Sequence, residues 1–358
     1  MTPDLAGLLP EAARALGIGA APDWLAPTRS VVVLLVDGLG WRNLEAGASE
    51  HAIARAILQT PPVGAPLPST TPVSLATFGL GSNPGHHGVV GATFALPEFG
   101  QVLRPLSWDQ TPAPEAVQPD PTWFERMAAS DVDVVRIGPS AYANSGLTTA
   151  ALRGGRHVAG DDLAGLVAAV IGEVAGATKP QLVYAYYPTL DKVGHVHGAD
   201  SDQWRAEAAR VLTAVETIRQ QLPSAATLIV TADHGMLDVE RRVWIEDRPE
   251  LLQRVHWLAG EPRFRHVYAQ PGQGALVLSA WRTLEEFADV YARDDFLAKY
   301  WPDAEEFAAE RVGDVVAVAR DATILASRTF DSKVSSLAGL HGGETAVERD
   351  IPMAVLAG

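Results

Sequence analysis

Residues 31–36 of the sequence read Val-Val-Val-Leu-Leu-Val and are followed directly by Asp37 and Gly38. An apolar run without polar alternation is typical of a strand that is buried on both faces. The run is far too short to cross a bilayer, which takes roughly 20 apolar residues. It therefore predicts an inner strand of a sheet whose two faces are covered by helices.

Other short apolar runs extend this pattern along the chain. We predict further strands at residues 132–137, 181–187, 227–231, 266–270, 275–278, 315–319, 323–326 and 353–356. Helices are predicted at residues 161–175 and 202–221, where apolar side chains recur at intervals of three and four positions. Because strands and helices alternate over the first 235 residues, we predict an α/β fold with a doubly wound, mostly parallel sheet.

The sequence changes in character at about residue 240. Paired short strands are predicted around residues 271–274, among helices rich in tryptophan and glutamate. We therefore predict a catalytic core of residues 1–240 and 331–358 and a smaller α+β cap inserted at residues 241–330, with the last strand returning to the main sheet. Four tryptophans of the cap either pack its interior or line a pocket that stacks on a base: Trp244, Trp257, Trp281 and Trp301.

Composition narrows the possible functions. The chain has 28 lysines and arginines against 43 aspartates and glutamates, a net charge of -15, which disfavours a nucleic-acid coat or a polybasic membrane protein. It has no cysteine, so any metal must be held by histidine, aspartate or glutamate. The first residues lack both the positive leader and the apolar stretch of a secretory signal, so we expect a cytoplasmic location.

Polar side chains follow several of these apolar runs, at the places where ligands collect in a doubly wound sheet. Any one of them taken singly is more often a turn former or a helix cap. Together they supply six carboxylates and imidazoles suited to two adjacent divalent metals: Asp37, Asp191, His195, Asp233, His234 and His341. Zinc is the natural choice for this set, and manganese or iron are the alternatives.

The spacing of these residues supports a shared site. Asp191 and His195 are four positions apart, which places them on one face of a helical turn. Asp233 and His234 are adjacent, so their side chains can point to two ions from one loop. A glycine follows Asp37, His234 and His341 in each case, which allows the backbone to approach the cluster closely.

A hydroxyl pair stands before the helix predicted at residues 73–78, within Pro68-Ser69-Thr70-Thr71-Pro72. Such a hydroxyl is often only a helix cap. The same position exposes free backbone N–H groups that suit a phosphoryl group, and a metal could activate a threonine there as a nucleophile. Both interpretations stay open on the residues alone.

Five segments occur in an order that resembles a known family. They are VVVLLVDGLG, PSTTPVSLATFGLGSNPGHHGVVG, TLDKVGH, TADHGM and LHGG, and they span Asp37 to His341. This order resembles the type I phosphodiesterase/nucleotide pyrophosphatase branch of the alkaline phosphatase superfamily. The resemblance implies an alkaline phosphatase-like fold and a metal-dependent hydrolase that acts on phosphate esters.

The resemblance also implies a role for each site residue. One metal would be bound by Asp191, His195 and His341. The other would be bound by Asp37, Asp233, His234 and the nucleophile Thr71, which would carry a covalent phosphothreonine intermediate. Thr70 is the alternative nucleophile, and His197 is the alternative to His195. His86 and His87, in the turn of the second segment, are expected to pack and not to bind metal.

Several functional alternatives remain at this stage. A phosphomonoesterase or a phosphonate-type hydrolase of the same superfamily would use similar residues, and a metal-stabilised binding module without turnover is a third reading. The resemblance implies an asparagine three residues after the nucleophile, which in the phosphodiesterases of that family commonly binds a phosphate oxygen. Position 74 here is serine, so the preference for a diester or a monoester is open. We expect a small phosphate ester or nucleotide as substrate, and neither a nucleic acid nor a membrane as partner. The oligomeric state is open.

Overall fold

The computed structural model describes residues 2–356. Its central sheet has six strands, in the spatial order β10-β5-β1-β4-β2-β3. All neighbours are parallel except β10, which is antiparallel to β5. The strands are β1 (Ser30–Val36), β2 (Asp133–Gly138), β3 (Arg156–Ala159), β4 (Gln181–Tyr187), β5 (Ala226–Thr231) and β10 (Met353–Leu356).

The order of these strands explains where ligands can collect. Every residue of β1 is buried, as its uninterrupted apolar sequence predicts. In register, Val36 of β1 lies beside Tyr187 of β4, and Leu35 lies beside Thr231 of β5. The carboxyl ends of these three central strands therefore meet at one edge, and the residues that follow them are brought together.

Helices surround this sheet and complete the main hydrophobic core. The longer ones are α1 (Leu5–Ala15), α2 (Thr71–Leu80), α3 (Leu163–Ala175), α4 (Thr189–His197) and α5 (Asp202–Gln221). Shorter helices occupy Trp41–Gly47, Ala52–Leu58, Pro84–His87, Pro114–Val117, Trp123–Ala129, Gly146–Leu152, Arg293–Tyr300, Glu306–Glu310, Ser332–Ser335 and Ala346–Arg349. The prediction of an α/β fold with a mostly parallel sheet is confirmed.

A second sheet of four antiparallel strands lies in the later part of the chain, in the order β6-β7-β9-β8. Its strands are β6 (Val255–Glu261), β7 (Phe264–Ala269), β8 (Ala288–Ala292) and β9 (Val315–Ala319). Phe264, Val316 and Val318 join the main core, whereas Val267 and Val315 belong to a separate apolar cluster. The division into a core and a cap at residues 241–330 stays a prediction.

The strand predicted at residues 275–278, and the strand pairing around residues 271–274, are wrong. Residues Gly274–Trp281 form helix α6. Its buried side chains, Val277 and Trp281, are four positions apart, which is a helical and not an alternating pattern. The neighbouring strand β7 is already paired on both edges, with β6 and β9.

Shorter strands complete the structure. They are Val63–Gly64, Phe94–Leu96, Gln101–Leu103, Leu237–Asp238, Arg241–Trp244, Thr323–Ala326, Gly339–Leu340 and Asp350–Ile351. Of these, Gly339–Leu340 pairs with Leu237–Asp238, which places the residues after position 340 beside the loop that follows β5. Among residues 2–356, no helix combines the length and apolar character that a bilayer span requires.

Candidate metal centre

The predicted site residues converge at the carboxyl edge of the central sheet. Asp37 follows β1, and Asp233 and His234 follow β5. Asp191 and His195 lie one turn apart on helix α4, which follows β4. His341 arrives from the far end of the chain after the short strand Gly339–Leu340, and Thr71 is the first residue of α2.

Two groups of three side chains offer ligand atoms that all lie within 4.8 Å of one another: Asp37, Asp233 and His234, and Asp191, His234 and His341. The Nε2 atom of His234 lies 3.4 Å from both Asp37 Oδ1 and Asp233 Oδ2. The His341 Nε2 atom lies 3.6 Å from Asp191 Oδ1. Segments from distant parts of the chain therefore form one cluster.

His195 stands at the edge of this cluster. It belongs to neither group of three, but its Nε2 atom lies 3.3 Å from Asp191 Oδ2. Its ring centre lies 5.1 Å from that of His341. His197, the alternative, is exposed to solvent. The geometry therefore favours His195.

All three imidazoles of the cluster have the same hydrogen-bonding arrangement. Each Nδ1 lies within 3.0 Å of a backbone carbonyl: His195 with Gly339, His234 with Gly235 and His341 with Ser69. Because a carbonyl can only accept, each Nδ1 carries a proton, and Nε2 is the atom left to bind a metal when the ring is neutral. This arrangement orients histidines as metal ligands.

The three carboxylates are buried and incompletely satisfied. Asp37 Oδ1, Asp191 Oδ1 and Asp233 Oδ2 are buried and find no hydrogen-bond partner in the part of the chain that the structure describes. Burial, and then the charge of Asp233, raises the pKa of Asp37 well above its ordinary value. Burial and the charge of Asp37 raise the pKa of Asp191 to about 7, and burial is also the main cause that raises the pKa of Asp233 to about 7. Such a cluster lacks a counter-charge that divalent cations would supply.

The two candidate nucleophiles differ in their surroundings. Thr71 Oγ1 lies 3.1 Å from His234 Nε2, so it joins the cluster. Thr70 precedes the helix, and its buried hydroxyl has no hydrogen-bond partner within residues 2–356. Thr71 lines both cavities that open on the cluster, whereas Thr70 lines one. The geometry favours Thr71.

Several residues that position the cluster were missed by the sequence reasoning. The hydroxyl of Tyr186 donates to Asp37 Oδ2, and the hydroxyl of Ser74 donates to the Asp233 carbonyl at 2.7 Å. Asn43 bonds both the N–H and the carbonyl of Met236, in the same loop. Only Tyr186 left a signal, because it lies one residue before the end of a strand that leads to the site.

Two of the glycines that follow predicted ligands, Gly38 and Gly342, allow close approaches of the backbone, as the sequence predicts. Gly38 has a φ of 74°, and a Cβ atom on it would lie 3.0 Å from the Cα of Asp191. Gly342 has a φ of 127°, and its Cβ would lie 2.0 Å from Glu261 Oε1. Side chains at either position would therefore meet the cluster or the second sheet that covers it.

Two cavities open on the cluster from different sides. The first, about 210 Å³, has Asp37, Thr71 and Asp191 at one end and runs over strands β2 and β4. The second, about 280 Å³, is lined by Thr71, His195 and His341 and by residues of β6. None of the four tryptophans of the predicted cap lines either cavity, and Trp281 and Trp301 are buried in packing positions.

His86 and His87 lie away from the cluster, as the sequence predicts. His87 is buried, and its Nε2 lies 3.1 Å from Thr77 Oγ1 while its Nδ1 accepts from the N–H of Val89. His86 pairs with the side chain of Asn83. Both contacts are local packing contacts.

Comparison with known proteins identifies the family to which this geometry belongs. The sequence profile of the family described as "Type I phosphodiesterase / nucleotide pyrophosphatase" matches residues 31–344, which include every residue of the cluster. The chain belongs to this family. The family predicted from the order of the five segments is therefore confirmed.

A curated relative is "Ectonucleotide pyrophosphatase/phosphodiesterase 1" of Saccharomyces cerevisiae, which is 24% identical over 223 residues. The match covers 51% of this chain but 29% of the yeast protein, so the chain corresponds to less than a third of that relative's length.

Two solved structures share the fold. Murine ectonucleotide pyrophosphatase / phosphodiesterase 5 superposes with a TM-score of 0.72 at 19% identity, over 90% of this chain and 87% of its own. Phosphonoacetate hydrolase from Sinorhizobium meliloti, in complex with phosphonoformate, superposes with a TM-score of 0.69 at 17% identity, over 92% of this chain and 90% of its own. Both likenesses confirm the alkaline phosphatase-like fold.

Proposed function

We propose that this chain is a metal-dependent phosphodiesterase that hydrolyses small phosphate esters through a phosphothreonine at Thr71. The observation that carries the proposal is the position of Thr71 Oγ1, 3.1 Å from the unprotonated Nε2 of His234. A hydroxyl at the start of a helix, beside a cluster of metal-ligand side chains, is placed to act as a nucleophile.

The residues of the cluster fit two divalent cations. Three buried carboxylate oxygens have no hydrogen-bond partner among residues 2–356, and three imidazoles direct Nδ1 to backbone carbonyls, which leaves Nε2 as the ligand atom. The proposed ligands of one ion are Asp191, His195 and His341, and those of the other are Asp37, Asp233, His234 and Thr71. Neutral imidazoles with carboxylates suit zinc, with manganese or iron as alternatives.

The mechanism we derive is a double displacement at phosphorus. Bound dications would neutralise the phosphoryl oxygens and lower the pKa of the Thr71 hydroxyl. The Thr71 hydroxyl would give up its proton to water, and its oxygen would attack phosphorus in line while the bond to the ester oxygen breaks on the opposite side and that oxygen takes up a proton from water. A water molecule would then attack the phosphothreonine, the bond between phosphorus and the Thr71 oxygen would break, and the threonine would regain its proton as the phosphoryl product leaves. Tyr186 and Ser74 act as positioning residues, since they hold Asp37 and the Asp233 loop and not the substrate.

Turnover of bis-4-nitrophenyl phosphate by the zinc-loaded protein tests this proposal. We expect Thr71→Ala to lose activity by about a thousandfold or more, as nucleophile removal does, while Thr70→Ala retains most of it. Intact-mass spectrometry of rapidly quenched reactions should detect a phosphoryl adduct on the wild type and none on Thr71→Ala. Metal binding without threonine-dependent turnover would instead identify a binding module.

The alternative hydrolase activities are compared in the same assay. Murine ectonucleotide pyrophosphatase / phosphodiesterase 5 has been solved with AMP, and the Sinorhizobium meliloti enzyme with phosphonoacetate. We propose a nucleotide or another small phosphate ester as the substrate here. Turnover of 4-nitrophenyl phosphate or a phosphonate faster than the diester would favour the monoesterase or phosphonate alternative. The cytoplasmic location stays a prediction.

A further inference from the structure

Arg136 lies in the central sheet, and none of residues 2–356 pairs with its charge. It is a half-buried residue of β2, in a strand whose other inner residues are apolar. Its Nε is buried without a hydrogen-bond partner, and the guanidinium makes no ion pair with any residue of 2–356. The hydroxyl of Tyr184, beside it on β4, is also buried and unpartnered.

Other buried arginines of the chain have ion-pair partners. Arg263 pairs with Glu348, Arg265 pairs with Asp331, and Arg311 pairs with Glu98. Removing a guanidinium from water without a counter-charge is costly, so buried arginines are normally paired. Arg136 is less deeply buried than these three, but its buried Nε has no partner among residues 2–356, so its guanidinium is available to an anionic group from outside the chain.

The first cavity connects Arg136 to the proposed metal centre. Asp37 and Thr71 line one end, and Arg136 and Tyr184 line the same cavity further along the sheet. Much of its remaining wall is apolar, with Leu75, Ile137 and Leu147, while Ser145, Thr148 and His157 add polar groups, and His157 is the register neighbour of Arg136 on β3. A ligand in this space would meet a cation and a hydroxyl at one end and the catalytic cluster at the other.

Tyr186, Tyr184 and Arg136 form a row of side chains along the sheet, and this row shows how far Arg136 lies from the metal cluster. Tyr186 donates its hydroxyl to Asp37, and its ring stacks on Tyr184 with centroids 6.4 Å apart. Arg136 is the register neighbour of Tyr184 on the next strand. Two positions along a strand span roughly 7 Å, so Arg136 is one side-chain row farther from the metals than Tyr186.

Lys192 is not a second cation at the distal end of the cavity. It lines the same cavity, but its charge acts on Asp37 and Asp191, where it lowers the pKa of each carboxyl against the larger effect of burial. Lys192 therefore belongs to the metal end of the cavity. Arg136 is the cation of the distal end.

We propose that Arg136 binds an anionic group at the far end of the substrate, a carboxylate or a phosphate, while the scissile phosphoryl group lies at the metal centre. The inference rests on the proposed function and deepens it, because it assigns the substrate class as a phosphate ester with a second, distal anion. A guanidinium binds both kinds of anion with paired N–H donors, and the Tyr184 hydroxyl can add a third. The apolar wall suits the carbon chain between the two charges.

Alkylphosphonates with different end groups test this assignment on the zinc-loaded protein. The phosphonate mimics the scissile group, and the other end carries a carboxylate, a second phosphonate or a neutral carboxamide, in a series of chain lengths. Dissociation constants come from calorimetry, and inhibition constants from turnover of bis-4-nitrophenyl phosphate. At the best chain length we expect the anionic ends to bind about tenfold tighter than the carboxamide, as a charge-assisted hydrogen bond allows.

Variants locate the effect. Arg136→Gln should lose the preference for an anionic end while binding the carboxamide compound as the wild type does, and Arg136→Lys should retain part of it. Arg104→Gln, which removes a cation from the second cavity, should keep the full preference. The end group that binds more tightly, carboxylate or phosphonate, identifies the kind of anion that Arg136 recognises.

The outcomes separate this inference from the proposed function. Turnover by the wild type without any preference for an anionic end overturns the role of Arg136 alone, even if Arg136→Gln does not fold. A preference that survives in Arg136→Gln, or that disappears in Arg104→Gln, also overturns it. If the wild type neither turns over the diester nor binds any phosphonate, the proposed function itself fails.

Discussion

The imidazole ring of His234 stacks on that of His341, with ring centroids 3.5 Å apart and planes inclined by 12°. Two protonated rings at this distance would repel strongly, so the arrangement requires neutral imidazoles. Burial lowers the pKa of His234 to about 3, and burial followed by the neighbouring His234 lowers the pKa of His341 well below its ordinary value. Two neutral rings that each donate Nδ1–H to a carbonyl are prepared for metal binding through Nε2.

Removing one carboxylate of the cluster should weaken metal binding and stabilise the metal-free protein. In the metal-free protein, Asp37→Asn removes a carboxyl group whose charged form is disfavoured by burial and by the charge of Asp233, so we expect the free energy of unfolding to rise by about 1–3 kcal/mol. The rise in melting temperature on adding zinc should largely disappear. Thermal unfolding with zinc and with a chelator measures both, and Glu115→Gln, at an exposed site, is the control. A less stable metal-free variant would contradict the interpretation.

The hydroxyl of Tyr186 should contribute to metal affinity. Tyr186→Phe removes its hydrogen bond to Asp37, and loss of such a supporting contact lowers metal affinity by about tenfold or more. Tyr184→Phe is a matched control, because Tyr184 lies in the same row of side chains but its hydroxyl has no hydrogen-bond partner among residues 2–356. Competition with a chelator measures both affinities. Equal losses in the two variants would show that Tyr186 has no specific role.

Gly38 should tolerate a side chain less well than another glycine with the same backbone conformation. Gly38 and Gly100 both have positive φ values, 74° and 63°, but only Gly38 has Asp191 in its way. Gly100→Ala should cost about 1–2 kcal/mol from backbone strain alone. Gly38→Ala should cost about 1–3 kcal/mol more, because the loop or helix α4 must move. Urea unfolding compares the two, and equal costs would mean that the contact relaxes freely.

The ion pair between Arg263 and Glu348 should support the loop that carries His341. Both side chains are fully buried, and Glu348 also accepts from the N–H of Gly343. Glu348→Gln leaves the Arg263 charge uncompensated, so we expect a loss of about 3–5 kcal/mol in unfolding free energy. Asp247→Asn, which removes the partner of Arg328 on the surface, should have little effect. Chemical denaturation measures both variants, and similar small losses would contradict the prediction.

His87 should make the fold sensitive to acid without a role in catalysis. Burial lowers its pKa to about 3, so the folded protein keeps the ring neutral while the unfolded chain protonates it below its ordinary value of 6.5. This stability is therefore present above about pH 6.5 and is lost as pH falls towards 3, by up to about 1.4 kcal/mol per pH unit.

The His87→Gln variant isolates this contribution. Because glutamine does not titrate, the difference in unfolding free energy between the wild type and the variant should shrink from about pH 7 to about pH 5. Urea unfolding at the two pH values measures it. Diester turnover should be unchanged at neutral pH in folded protein. A difference that does not vary with pH, or a loss of turnover, would assign His87 another role.

Local sequence predicted the central fold well and the later part less well. The apolar runs at residues 31–36 and 181–187 form β1 and β4, because a continuous apolar run has one stable place, inside a covered sheet. The run at residues 275–278 formed a helix, because a short apolar run fits either structure and its neighbours decide between them.

The sequence by itself determined the donor types of the candidate site and the order in which they occur, because motifs such as Asp37-Gly38 and Asp233-His234 are local. Only the tertiary structure decided that Tyr186 and Ser74 hold the cluster, that Arg136 finds no partner among the described residues 2–356, and that Thr71 and not Thr70 faces His234. Those facts depend on which strands and helices become neighbours. Contacts between residues far apart in the chain are set by packing and burial of the whole fold, and a local pattern does not encode them.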